Sequence, residues 1–249
     1  MRLASTLAET TVAILAGGLG SRLRTVVGNH PKVLAEINGR PFLAWLLEHL
    51  ENFGFKRVVL CTGYKAEEIE CAFGSTFGGL SIIHSCESVP LGTGGALRQA
   101  LPFLGSNRVL ALNGDSFCEA DLEALRASHL ARNARASMLL AWVEDAGRFG
   151  RVRLGSNDQI TEFVEKGSSF GGGWINAGVY LLERDLIEML PANMLLSLER
   201  EIFPMWIPQG VFGFKTQGRF LDIGTPESYA LAQHEPLGPG RVAVGGVRA

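Results

Sequence analysis

The feature that most constrains this chain is the junction at residues 12–24, VAILAGGLGSRLR. Residues 12–16 are apolar without alternation, the pattern of a strand covered on both faces. The run then breaks at Gly17, Gly18 and Gly20. Glycine permits positive φ and lets backbone N–H groups come close to a ligand. A strand running into such a loop suits a phosphate. Arg22 and Arg24 follow at once, and Lys32 comes ten positions after Arg22. The first expectation is a polyphosphate site. The plainer reading is a glycine turn beside solvated arginines.

The order of elements downstream sets the fold class. Helical spacing marks residues 42–52, with Phe42, Trp45, Leu46 and Leu50 recurring at three and four. Buried strands read at 57–62, 80–84 and 108–112, and a short helix at 66–73. A second glycine cluster, Gly92-Thr93-Gly94-Gly95, opens a helix over 96–104. This alternation predicts an α/β chain with a mixed, mostly parallel sheet and helices on both faces. The second half reads as helix 121–133, strand 136–143, a hairpin of 150–154 with 159–164, and strand 174–182. Helices at 184–190, 197–204 and 226–233 follow, with a final hairpin of 211–215 and 219–221 between the last two. This half is expected to complete the same sheet and to form one wall of a cleft.

Length and composition fit one domain. The 249 residues are 47% hydrophobic, enough for a single core. We expect that domain over 12–234, an N-terminal extension over 1–11, and a mobile Gly/Pro-rich tail over 235–249. The net charge of −2 gives no broad field for nucleic acid. A polyphosphate would have to meet local charge, which singles out Arg22, Arg24 and Lys32. Cys61, Cys71, Cys86 and Cys118 form no C-x-x-C pair. They are expected to be reduced, mostly buried thiols of a cytoplasmic protein. Residues 1–11 have neither the apolar core of a secretory signal nor that of a membrane span.

Two acids sit where strands are expected to end. Asp115 follows strand 108–112 in Asn113-Gly114-Asp115, at the end of an open α/β sheet where ligands bind. Asp222 follows strand 219–221, just before Thr225-Pro226. Either could simply cap a turn or a helix. Together they could hold Mg²⁺, which takes one or two carboxylates plus phosphate oxygens. Glu165-Lys166 could accept sugar hydroxyls and hold a phosphate, or form a surface ion pair. Asn176 interrupts an apolar strand two residues before Gly178, so it needs a partner, either a sugar hydroxyl or backbone. His30, His49, His84, His129 and His234 form no ligand spacing and no triad. Leu23 stands where a dinucleotide fingerprint needs its third glycine, and no Gly-Lys-Ser/Thr phosphate loop is present.

Six motifs in one order carry a family resemblance: residues 15–23 with Pro31-Lys32, residues 91–96, 113–115, 165–166, 176–178 and 222–227. Together they resemble the sugar-1-phosphate nucleotidyltransferases over about residues 12–233. Phe149-Gly150-Arg151, the 165–176 segment and SLEREIFP at 197–204 look most like the D-glycero-D-manno-heptose 1-phosphate guanylyltransferases within that family. The resemblance implies a single-domain, Rossmann-like nucleotidyltransferase fold. It gives Leu15, Ala16, Gly17, Gly18, Gly20 and Ser21 to the nucleotide, with Gly92, Thr93, Gly94, Gly95, Asn113 and Gly114. Arg22, Lys32 and Asp115 would be catalytic, Asp115 and Asp222 would hold Mg²⁺, and Glu165, Lys166, Asn176 and Gly178 would hold the sugar phosphate. Ser21 departs from the more usual Thr, and Val33 and Gly167 from the more usual Pro.

The implied reaction joins a sugar 1-phosphate to an NTP and releases pyrophosphate. A phosphate oxygen is already ionised near neutral pH, its second pKa being about 6. No general base is needed, which agrees with the absence of a histidine dyad. GTP and a manno-heptose 1-phosphate follow from the subfamily likeness, while mannose 1-phosphate and the other bases stay open. A metal-dependent glycosyltransferase and an inactive nucleotide-sugar sensor are the readings from other classes. No nucleic-acid or membrane partner is expected, and apolar helix faces could support a homodimer.

Overall fold

The computed structural model describes residues 6–149, 151–164 and 171–234. Strands are β1 (Thr11–Leu15), β2 (Glu36–Ile37), β3 (Arg40–Pro41), β4 (Arg57–Thr62), β5 (Thr76–Phe77), β6 (Leu80–Cys86) and β7 (Arg108–Asn113). The second half adds β8 (Ser116–Cys118), β9 (Ala136–Val143), β10 (Arg151–Leu154), β11 (Ile160–Val164), β12 (Gly173–Glu183), β13 (Val211–Thr216) and β14 (Phe220–Asp222). Helices are α1 (Arg24–Val27), α2 (Phe42–Asn52), α3 (Ala66–Phe73) and α4 (Gly92–Ala100). They continue with α5 (Leu122–Ala131), α6 (Arg184–Glu188), α7 (Phe203–Trp206) and α8 (Pro226–Ala232).

The main sheet has eight strands among the described residues, in the order β13-β9-β12-β7-β1-β4-β6-β5. β1 is parallel to both β4 and β7, and β6 is parallel to β4. β12 runs antiparallel to β7 and β9, and β13 is parallel to β9. The second half therefore completes the first half's sheet, as expected.

Both faces are covered, which is why the central strands show no polar alternation. Val12, Ile14, Leu110 and Leu112 pack on one side, where Phe42, Leu43, Leu46, Leu47 and Leu50 of α2 are buried. Ala13, Val109 and Ala111 face the other side, with Leu97 and Ala100 of α4, Tyr180 and Phe203. Each such leucine or phenylalanine contributes about 1.5–3 kcal/mol relative to exposure.

Three expectations change. Residues 211–216 and 220–222 do not form a hairpin: β13 pairs with β9, and β14 pairs antiparallel with β8. Each strand found a partner far along the chain, which local turn signals do not encode. The second glycine cluster is not a loop ahead of α4 but its first turn, and the helix ends at Ala100. Ahead of the sheet, Leu7 is buried in the core, and Thr11 opens β1. Of the cysteines, Cys61 and Cys118 are buried but Cys71 and Cys86 are exposed; all four are free. The expected tail over 235–249 lies outside the described residues, as do Glu165 and Lys166. No helix among the described residues is long and apolar enough to cross a membrane.

Candidate active site

The carboxyl ends of β1, β4, β6 and β7 converge on one side of the sheet, where open α/β sheets bind ligands. The ladder continues one step past β1, with Ala16 N–H donating to Cys61 O at 2.8 Å. The chain then turns through Gly17, Gly18, Gly20 and Ser21 along a cavity of about 610 Å³. Leu23 N–H donates to Gly20 O at 3.0 Å and the Leu23 side chain is fully buried, pinning the far end of the loop. Arg22 lines this cavity, whereas Arg24 instead lies over the Tyr64 ring at 4.9 Å.

A second cavity of about 580 Å³ adjoins the first. Arg22, Asn113, Asp115 and Gly224 line both. Lys32, with a side chain only 12% exposed, places Nζ 2.6 Å from Asp115 Oδ2. Ile223 N–H donates to Asp115 O at 2.9 Å, and Asp222 sits opposite Ser116 in the β8–β14 ladder. The two strand-end acids are thus brought to one place by backbone pairing. Asp222 Oδ1 accepts from Gly224 N–H at 2.7 Å and from Ser228 Oγ at 2.9 Å. Its Oδ2 faces Arg148 Nη2 at 3.5 Å. Thr225 caps α8 as well, with Pro226 at the first position, so the capping reading holds for Thr225 while Asp222 keeps an oxygen toward the cavity.

Asn176 and Gly178 shape the second cavity. The β9–β12 register shifts between Asn176 and Tyr180, and Gly178 takes φ +74° there. A Cβ at Gly178 would lie 2.6 Å from Ser116 Oγ, so glycine is required. Asn176 finds protein partners: Nδ2 donates to Tyr180 OH and Oδ1 accepts from Gly178 N–H, each at 2.8 Å. Asn113 Oδ1 is buried and has no hydrogen-bond partner among the described residues. A buried orphan acceptor between two cavities is a place for a ligand's donor.

Some expected site residues lie elsewhere. Gly94 and Gly95 do not line either cavity; they press on the backbone of Leu196 and Met194. Gly114 packs under the loop, its N–H donating to Leu15 O at 2.9 Å. Gly92 and Thr93 do line the first cavity.

Other residues escaped the sequence reading. Glu87 follows β6 and lines the first cavity between Gly17 and Gly63. Burial raises its carboxyl above the ordinary value, and the hydrogen bond from Leu91 N–H at 3.1 Å partly opposes this. A signal existed: Glu87 is an acid at a strand end, like Asp115. Arg148, just before Phe149, lines the second cavity, as do Glu199 and Arg200 of the 197–204 segment.

A glycine loop after the first strand, strand-end acids and two adjoining cavities sharing one arginine make up the candidate site. The chain belongs to the nucleotidyl transferase family, which it matches over residues 11–237. It is 36% identical over 223 residues to a D-glycero-alpha-D-manno-heptose 1-phosphate guanylyltransferase of Aneurinibacillus thermoaerophilus, covering 89% of this chain and 96% of that protein. It is 34% identical over 225 residues to a mannose-1-phosphate guanylyltransferase of Mycobacterium tuberculosis, covering 89% of this chain and 63% of that protein. The crystal structure of HddC from Yersinia pseudotuberculosis complexed with GMP-PN superposes with a TM-score of 0.81 at 35% identity. That match covers 90% of this chain and 98% of the other.

Proposed function

We propose that the chain transfers a guanylyl group from GTP to a sugar 1-phosphate, the sugar being a manno-configured heptose. The observation that carries this is the pair of cavities meeting at Arg22, Asn113 and Asp115. The first, walled by the glycine loop, takes the nucleotide, and the second takes the sugar phosphate. A sugar-phosphate oxygen attacks the α-phosphorus, a new P–O bond forms, and the bond to the pyrophosphate oxygen breaks. Arg22 and Lys32 offset the repulsion between two polyanions and stabilise charge as the pyrophosphate departs. Lys166 and Glu165 would hold the sugar phosphate with Asn176.

Asp115 and Asp222 would hold a divalent cation. No group of three or more His, Cys, Asp or Glu stands ready for a metal among the described residues. Two carboxylates alone fit Mg²⁺, which completes its shell with phosphate oxygens and water. When bound, it would neutralise charge on the transferring phosphate.

Guanine is favoured by Glu87 in the first cavity. A carboxylate only accepts hydrogen bonds, and guanine alone offers N1–H and the N2 amino group side by side. Adenine turns a lone pair to that position, and uracil or thymine offers one N–H between two carbonyls. The enzyme would work in the cytoplasm, with its nucleotide supply. The test is pyrophosphate release with each of four NTPs against heptose, mannose and glucose 1-phosphates. GTP with the manno-heptose should be fastest. Pyrophosphate from no pair, or sugar transfer from a GDP-sugar to an acceptor, would sink the assignment.

A further inference from the structure

Between the two cavities runs a chain of hydrogen bonds that the reaction above does not use. Glu199 is its centre. Its Oε1 accepts from Tyr180 OH at 3.2 Å. Its Oε2 accepts from Thr93 Oγ1 at 3.0 Å and from Ser197 Oγ at 3.1 Å. A carboxylate has no proton to give, so all three hydroxyls must donate to it.

That fixes the direction of every bond along the chain. Thr93, having donated, accepts from Leu198 N–H at 2.8 Å. Tyr180, having donated, accepts from Asn176 Nδ2 at 2.8 Å and also from the Asn113 side chain. Asn176 Oδ1 in turn accepts from Gly178 N–H at 2.8 Å. The Asn176 amide therefore has one orientation, with its second Nδ2 proton left for the cavity it lines. Burial pushes the Tyr180 hydroxyl well above its ordinary pKa, so it stays a donor. Thr93 lines the nucleotide cavity, while Asn176, Ser197 and Glu199 line the other.

We propose that Glu199 is a positioning residue for the sugar. Through Tyr180 it holds the Asn176 amide so that an N–H donor, not a carbonyl, meets a sugar oxygen. Through Thr93 it ties that orientation to the helix beside the nucleotide. This rests on reading the second cavity as the sugar-phosphate site. Glutamine at 199 has one acceptor and one amino group, so it cannot receive all three hydroxyls and one arm must reverse. Phenylalanine at 180 cuts the link to Asn176 but keeps the ring against Phe203, 4.8 Å between centroids.

The test uses Glu199→Gln, Tyr180→Phe, Thr93→Val and Thr93→Ser in the full chain. Steady-state kinetics with GTP and heptose or mannose 1-phosphate give both KM values, and thermal melts check folding. Glu199→Gln and Tyr180→Phe should raise the sugar-phosphate KM by up to about tenfold, as loss of one neutral hydrogen bond to a sugar oxygen implies. The GTP KM should stay within about twofold for Glu199→Gln, since Glu199 lines only the second cavity, and should rise less than the sugar-phosphate KM for Tyr180→Phe, since Tyr180 also bonds Asn113. Thr93→Val should raise the sugar-phosphate KM although it lies in the other cavity, and Thr93→Ser, which keeps the hydroxyl, should restore it. Equal shifts in both KM values, or none, would overturn the proposal. If Glu199→Gln does not fold, Tyr180→Phe and the Thr93 pair decide. Calorimetric titration with mannose 1-phosphate needs no turnover. A wild type that binds it without releasing pyrophosphate from GTP defeats the proposed reaction only. Equal binding by wild type and Tyr180→Phe, or no binding by the wild type, defeats the role of Glu199.

Discussion

Asp115 and Glu87 are both acids just past a strand end, yet the structure gives them different surroundings. The Asp115 side chain is 43% exposed and is matched by Lys32 at 2.6 Å. It sits where both cavities meet, where the proposed reaction would bring the phosphates together. Asp115→Ala should lower kcat by about 100-fold or more, the scale of a lost electrostatic stabiliser. Pyrophosphate release at saturating substrates reads this directly, and normal turnover would remove Asp115 from the chemistry. Glu87 is partly buried in the first cavity, away from that junction. Glu87→Gln replaces two acceptors with one acceptor and one donor. Its kcat/KM for GTP should fall about tenfold to 100-fold while that for UTP does not, since a buried base donor loses its charged partner. The ratio of the two kcat/KM values checks this, and an unchanged ratio would clear Glu87 of base selection. Sequence could place the first acid because it ends a strand and also stands within a family motif. The second shares only the strand-end signal, and nothing local says that β6 ends beside the loop after β1.

At the scale of elements, local patterns were legible and distant pairings were not. The apolar periodicity of residues 42–52 matched α2, and the alternation with turn residues matched the β10–β11 hairpin. β13 and β14 misled because adjacency in sequence resembled a hairpin while the hydrogen bonds went to β9 and β8. The cluster at residues 92–95 misled in another way, since glycine can serve a ligand or a packing contact. Gly94 N–H donates to Leu196 O at 2.9 Å, and Leu196 N–H donates to Leu91 O at 2.9 Å. α4 is thereby stitched to the segment that carries Ser197 and Glu199. A Cβ at Gly95 would lie 2.3 Å from Met194 O, too close without movement. Gly95→Ala should therefore destabilise the fold by about 1–3 kcal/mol, the cost of overpacking a tight contact. A urea titration measures it. Because α4 lines one cavity and the displaced segment the other, both substrate KM values should rise together. An unchanged urea midpoint would mean that the segment yields freely.

Across the whole molecule, the end of the sheet opposite the site carries a different kind of constraint. His129 of α5 is 1% exposed, with Nδ1 2.8 Å from Ser137 Oγ and Nε2 3.2 Å from Glu183 Oε1. Glu183 can only accept, so in the neutral ring Nε2–H donates to it and the Ser137 hydroxyl donates to Nδ1. Burial holds the His129 pKa below its ordinary value, although the Glu183 hydrogen bond and charge pull the other way. His49, in α2, is lowered by burial as well, against a smaller opposing pull from Glu119. Both imidazoles thus bind protons less readily folded than unfolded. As pH falls through about 6.5, the unfolded chain takes up protons first, and stability must fall. Each histidine can contribute up to about 1.4 kcal/mol per pH unit, until the pH reaches its folded pKa. Glu87, with a raised pKa, acts in the opposite sense, but only from its own pKa downward. The expected outcome is a urea unfolding free energy that declines from pH 7.5 to pH 5.5. His129→Gln should be less stable at pH 7.5, having lost hydrogen bonds, but its decline should be shallower. The slope rather than the intercept carries the argument, because lost packing shifts the whole curve and only a lost titrating group changes its gradient. Parallel curves for wild type and variant would show that folding leaves the His129 pKa unchanged, and a steeper decline in the variant would show that Glu183 outweighs burial.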